Sequence, residues 1–364
     1  MRRIVKPAVA SLVVSALVIS ARASQPALAA VPAEPQAWGR IELIGAELFG
    51  VDSSHSYIGF TIGFLGLTKV RGAFKSYKAA ILYDEKDPTR SAVRAVFDAA
   101  SIDTGNEMRD KDLLGEPFFG VKKYPHLVFD SGRIEKTGID HYLVHGTLEI
   151  RGIRREIAIP MVQTVPRKPD TAWGNIRVGA NGGVHLKRTD FGITGGEFWG
   201  NKALSDDVEI DIEVLGTRNN WDKMTFDSSP KGPSIGETLA KTIEGAGVTA
   251  AVAQYRELKE KQAGNYNFAP DELKVLANRL LQHRRLPEAL AIFQLAADDA
   301  PKDSVVQARL GETWATLGDR QKALDSYRKA YELAPDNPEA VLMIRRLEAT
   351  STAVEKSSHV SENE

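Results

Sequence analysis

The chain has 364 residues, 43% of them hydrophobic, a formal net charge of −1 and no cysteine. The length accommodates two or three domains. The near-neutral charge excludes binding carried by phosphate-backbone electrostatics, and the lack of thiols excludes disulfides and all cysteine chemistry.

The N-terminus begins with Arg2, Arg3 and Lys6, followed by an apolar stretch from Ala8 to Ser20 and small-x-small sites at Ala21-Arg22-Ala23 and Ala27-Leu28-Ala29. This is the layout of an export signal, and the apolar stretch is too short for a membrane span. Residues 1–30 are therefore expected to be cleaved after Ala23, Ala29 or Ala30, which makes the protein periplasmic or secreted. Cleavage removes four basic and no acidic residues, taking the charge from −1 to about −5. Residues 31–48 read as a Pro- and Glu-containing leader.

From residue 49 to 216, short alternating runs are separated by turn clusters, the pattern of an all-β sandwich or barrel. Candidate strands span 56–64, 69–83, 92–99, 126–134, 141–150, 155–165, 175–187 and 206–215. The first is the clearest. Ile58, Phe60, Ile62 and Phe64 point one way and Tyr57, Gly59, Thr61 and Gly63 the other, so a large apolar face meets either a packed core or something bound inside. The two glycines suggest close approach by another group or a strong bend. The last strand sets Val208, Ile210, Ile212 and Val214 against Glu209, Asp211 and Glu213. About eight such two-faced strands suit a closed antiparallel barrel. Ala100 to Tyr124 reads as a long connection with one short helix.

Residues 217–236, rich in Asn, Ser, Pro and Gly, form a linker, after which the period changes from two to about 3.6. Leu276, Leu280, Ala289, Phe293, Ala296 and Pro301 recur 34 residues later as Leu310, Trp314, Ala323, Tyr327, Ala330 and Pro335. That is the tetratricopeptide spacing. Residues 237–349 are thus expected to hold helical repeats, with clear units at 270–303 and 304–337 and a degenerate repeat or cap at 237–263. Residues 350–364 read as a disordered polar tail.

Catalytic signals are thin. There is no G-x-S-x-G elbow and no H-E-x-x-H. Gly245-Ala246-Gly247 lies in helical text with no preceding strand. His141 and His145 would be about 13 Å apart on a strand, too far to share a metal. His55 and Ser56 near Asp52 face opposite sides of an extended chain, which favours a capping role. Asp103, Glu107, Asp110 and Asp112 read as solvated loop carboxylates, and Arg109 beside them is the candidate for an anionic head group. No catalytic residue, metal ligand or cofactor site is expected, and the protein is not read as an enzyme.

The strings VDSSHSYIGFTIGFLGLTKVRGAF, ASIDTGNEMRDKDLLGEPFFGVKKYPHLVFDS, YLVHGTLEIRGIRREI, WGNIRVGA and KRTDFGI together resemble the YceI-like family of exported lipid-binding proteins. Asp112, Arg151 and Thr194 depart from residues common in that family. The resemblance implies a lipocalin-like antiparallel barrel around an apolar tunnel that takes a polyisoprenoid chain, such as an isoprenoid quinone or a polyprenyl phosphate. Ile58, Phe60, Ile62 and Phe64 would line it, together with Phe74, Phe97, Phe129, Val144 and Leu148. The appended repeats imply an unknown protein partner, contacted through Lys274, Asn278, Gln282 and Glu312 on first helices. The alternative is a scaffold protein with a packed, ligand-free barrel.

Overall fold

A computed structural model describes residues 45–226 and 232–360. The expected signal at 1–30 and most of the leader lie outside them. Among the described residues no helix is long and apolar enough to cross a membrane.

The N-terminal half is an antiparallel barrel. Its strands are β1 (Glu47–Val51), β2 (Tyr57–Phe64), β3 (Thr68–Phe74), β4 (Tyr77–Tyr83), β5 (Ala92–Asp98), β6 (Ile102–Asp103), β7 (His126–Lys136), β8 (His141–Ile150), β9 (Ile153–Pro169), β10 (Ile176–Lys187) and β11 (Leu204–Arg218). Neighbours run in the order β1-β4-β5-β7-β8-β9-β10-β11, and the ring closes where Gly50 and Val51 meet Thr217 and Gly216. At roughly 3.3 Å per residue β11 is about 50 Å long. One strand therefore cannot cover its whole edge. β1 takes its last turn and β2 takes the stretch from Leu204 to Glu213. β3 follows β2 and joins β6, the short continuation of β5, through Ala73↔Asp103 and Phe74↔Ile102. Two helices guard this end, α1 (Glu107–Leu113), capped by the Asn106 side chain, and α2 (Gly196–Ala203).

Strand alternation holds as expected, with two differences. The candidate 69–83 is two strands broken at Lys75-Ser76, and the last two residues of the supposed leader, Glu47 and Leu48, begin an additional strand, β1. β1 and β4 escape a simple two-faced pattern because both of their faces are buried. Phe49 points inward, while Leu48, Ala80 and Leu82 on the outside pack against helices.

Those helices are α3 (Ile235–Gln262), α4 (Pro270–Gln282), α5 (Leu286–Asp299), α6 (Ser304–Thr316), α7 (Arg320–Leu333) and α8 (Pro338–Val360). The pairs α4/α5 and α6/α7 are the two tetratricopeptide units, with Leu276, Ala289, Phe293, Ala323 and Tyr327 buried between helices. α3 is a folded hairpin. Gly247 breaks it at φ +84°, ψ 169°, and Thr242 Oγ1 reaches Gln254 Oε1 at 2.6 Å, which twelve residues of straight helix would forbid. The expected degenerate repeat is therefore a helix pair. Only glycine adopts that conformation readily, and nothing lies within 4 Å of where a Cβ would stand. Gly247→Ala is expected to cost roughly 1–3 kcal/mol from backbone strain alone, read as a lower urea midpoint. The tail expected to be disordered continues α8 to Val360, since no Gly or Pro follows Pro338 to stop the helix.

Barrel and repeats share one hydrophobic core. Leu48, Ala80 and Leu82 meet Tyr327, Met343 and Leu347. Lys78–Asp336 (2.5 Å), Arg345–Asp130 (2.9 Å) and Arg218–Glu312 (2.6 Å) tie its margins.

Candidate functional site

The barrel interior is not filled. Two chambers occupy it, of about 230 Å³ and about 360 Å³, and they adjoin at Leu186 and Ile210, which line both. The inner chamber is walled by Ile58, Phe97, Phe129, Val144 and Leu148, with aliphatic side chains of β9, β10 and β11 opposite. Its described walls contain no Asp, Glu, Lys, Arg or His. Burial pushes the Tyr142 phenol above its ordinary range, so this wall tyrosine stays protonated near neutral pH. At the far end Gln163 Nε2 donates to Tyr83 Oη (3.2 Å). Beyond it Arg167 grips the buried Glu47 through two bonds of 2.9 and 3.0 Å, and fully buried Phe49 packs with Ile176 and Val178. These groups occupy that end.

The outer chamber is walled by Phe60, Ile62, Phe64 and Phe74, and by Met108 and Trp199 from α1 and α2. Its polar fringe is Thr104, Asn106, Arg109, Asp112 and Arg188. Arg188 is buried and commits its guanidinium to the carbonyls of Ile193, Leu204 and Ser205. Arg109 donates from Nε to Thr104 Oγ1 (2.7 Å) and from Nη2 to the Thr104 carbonyl (2.8 Å), which leaves Nη1 without a hydrogen-bond partner among the described residues. All nine side chains expected on the tunnel wall thus lie on one chamber or the other, and Arg109 is on the outer one. Two aromatic rings press against glycines of the next strand. A Cβ at Gly72 would come 2.6 Å from the Phe60 ring, and one at Gly146 would come 2.7 Å from Phe129. Sequence reasoning placed a short helix where α1 stands, but missed the waist residues Leu186 and Ile210 and the helix α2, because only closure of the barrel brings them together.

Elsewhere the candidate side chains have structural duties. His55 Nδ1 bonds Asp52 Oδ2 (3.0 Å), Asp52 also pairs with Arg177, and Ser56 Oγ accepts from the Leu215 N–H. Burial alone would raise the Asp52 pKa, but hydrogen bonds from His55 and Arg177 outweigh it and hold the carboxyl below its ordinary value. His145 bonds Arg133, and His141 bonds the Ile139 carbonyl. Asp110 accepts from the Thr104 N–H at the start of α1. Arg151, a departure from the family pattern, donates to the carbonyls of Glu116 and Phe118 and holds the loop after α1. No group of three or more potential metal ligands occurs among the described residues.

The repeat face differs from expectation. Lys274 pairs with Asp271 and Asp303, and Asn278 is buried and donates to the Lys274 carbonyl. Gln282 accepts from the Trp221 N–H (2.8 Å) and donates to Asn220 and Asp222, while Glu312 is buried against Arg218 and Arg309. All four candidate partner residues are therefore bonded within the chain. The barrel's own exit segment lies along α4, where Arg279 also donates to the Trp221 and Met224 carbonyls.

Such a fold and interior define a class: antiparallel barrels whose long strands enclose an apolar hollow in place of a packed core. Within that class residues 49–215 match the YceI-like domain, and the chain belongs to the YceI-like family. It is 35% identical over 166 residues to a UPF0312 protein of Serratia proteamaculans, covering 45% of this chain and 82% of that one. Among solved structures it is similar to BcnA of Burkholderia cenocepacia, at 25% identity over 45% of this chain and 98% of that one, with a TM-score of 0.41. It is also similar to a polyisoprenoid-binding domain from Saccharophagus degradans, at 15% identity over 46% and 97%, with a TM-score of 0.36.

Proposed function

We propose that this protein holds a long apolar isoprenoid chain, an isoprenoid quinone or a polyprenyl phosphate, in its two chambers, for storage or transport in the periplasm. The observation that carries this reading is a pair of adjoining apolar chambers, the inner of which has no charged wall residue. Such a space gives nothing to a polar substrate. An apolar tail leaves water at about 0.8 kcal/mol per methylene and needs no catalytic group to bind. A polar or anionic head would stay in the outer chamber, where Arg109 Nη1 is the available donor. In this reading the repeats act first on their own barrel, bracing its wall.

The test is direct. Protein purified without detergent is extracted with chloroform–methanol, and the extract is analysed by mass spectrometry. A prenyl lipid in near-stoichiometric amount is expected. An extract without one, together with no rise in Tm when a prenyl lipid is added, would remove the carrier reading and favour an inert scaffold.

A further inference from the structure

The outer chamber ends in apolar side chains that the barrel leaves in solvent. Leu65 and Leu67 on the turn between β2 and β3, Met108 on α1 and Trp199 on α2 are 53%, 85%, 77% and 37% exposed. They cluster at the outer-chamber end of the barrel. Met108 and Trp199 line the chamber, and the Trp199 ring lies 6.2 Å from that of Phe64. The Leu65 N–H donates to the Ala203 carbonyl (2.7 Å), which fixes the turn beside the end of α2. An apolar path therefore runs from the chamber through Phe64 and Trp199 to the turn. Leu65 also sits at φ +56°, a left-handed conformation that leucine rarely adopts, so the turn accepts strain while holding an apolar side chain outward.

Exposed charges on the same three segments are of both signs: Lys69, Lys111 and Lys202, with Glu107, Asp112 and Glu197. This balance offers little attraction to an anionic surface, so contact must come from the apolar tips themselves.

We propose that this rim docks on a lipid bilayer and sets the mouth of the outer chamber at the boundary of head groups and acyl chains. A protein partner would need a separate pocket for each tip on three different segments. A bilayer yields to all of them at once, and an indole such as that of Trp199 suits its interface. The benefit rests on the carrier reading, since a prenyl chain would pass between bilayer and chamber without crossing water. The docking itself does not depend on it.

The full-length protein is mixed with phosphatidylcholine vesicles and floated on a density gradient, beside the double variant Leu65→Glu, Leu67→Glu, neither of which lines a chamber. Both sites are exposed enough for the fold to persist, which circular dichroism checks. The wild type is expected to float, and the variant to lose at least about tenfold in vesicle binding with its extractable lipid unchanged. Wild-type protein that stays at the bottom of the gradient, or a variant that floats equally well, would overturn the proposal. Flotation that depends on the rim in a protein without prenyl lipid would sustain docking and sink only the carrier reading.

Discussion

Ile210→Trp is expected to abolish retention of a long prenyl chain while leaving a folded barrel. Ile210 lies on β11 at the waist and lines both chambers with Leu186. An indole there takes up space where the two chambers adjoin and is expected to confine a ligand to the outer one. If four or more methylenes are shut out of the inner one, the lost burial is about 3 kcal/mol or more, beyond a hundredfold in affinity. Extraction and mass spectrometry read the loss, and circular dichroism with thermal unfolding reads the fold. A variant that keeps its full lipid load would show that the inner chamber takes no part in binding. One that unfolds would show that the waist is ordinary packed core.

Glu312→Ala carries the largest expected cost to stability. The carboxylate is buried and receives Arg218 from the barrel at 2.6 Å and Arg309 from its own helix at 2.5 Å; Arg309 also reaches Glu339 at 3.2 Å. Removing it leaves two guanidinium groups facing each other at the junction, a loss of about 3–5 kcal/mol. The expected drop in Tm is roughly 10 °C. Burial alone would raise the Glu312 pKa, but the charges of Arg218 and Arg309 hold it down to about 2, against an ordinary 4.5. A depressed carboxylate stabilises fully above its unfolded value and ceases to do so as the pH falls through its folded one. The wild-type advantage over the variant should therefore be complete above about pH 4.5 and fade toward pH 2. Thermal unfolding of both proteins at pH 7 and pH 3 measures it. Equal Tm values at pH 7 would mean that the junction does not depend on this carboxylate.

The sequence showed most of the barrel because period two is unambiguous wherever one face is apolar and the other polar, as in β2 and β11. It failed where that contrast is lost. β1 is short and buried on both faces, and the break at Lys75-Ser76 carries no Gly or Pro to mark it. The docking of the repeats had a visible trace, since Ala80 and Leu82 occupy outward positions where a free barrel would place polar residues. Alternation together with the family resemblance placed the nine wall residues on the chambers. It could not show that Leu186 and Ile210 form a waist, because that depends on how far β10 is staggered against β11 and β2. Nor could spacing reveal that Gln282 and Glu312 are engaged by the barrel, since their partners Trp221 and Arg218 come from the preceding segment and strand.

The two places where the barrel wall is joined by only a short ladder differ in what stands behind them. Where β1 meets β11, the joint is strapped from outside, with Arg218 anchored on Glu312 and Leu48 covered by the helices. Where β3 meets β6, the outer side carries the exposed Lys75–Asp103 pair, and just within lie Phe74 and the outer chamber. A cylinder built this way has a preferred line of parting. Under strain from a bulky guest it yields along β3 and β6 before it yields beside the repeats, because fewer interactions must be given up there. The helical half thus governs where the wall can open without touching the hollow at all.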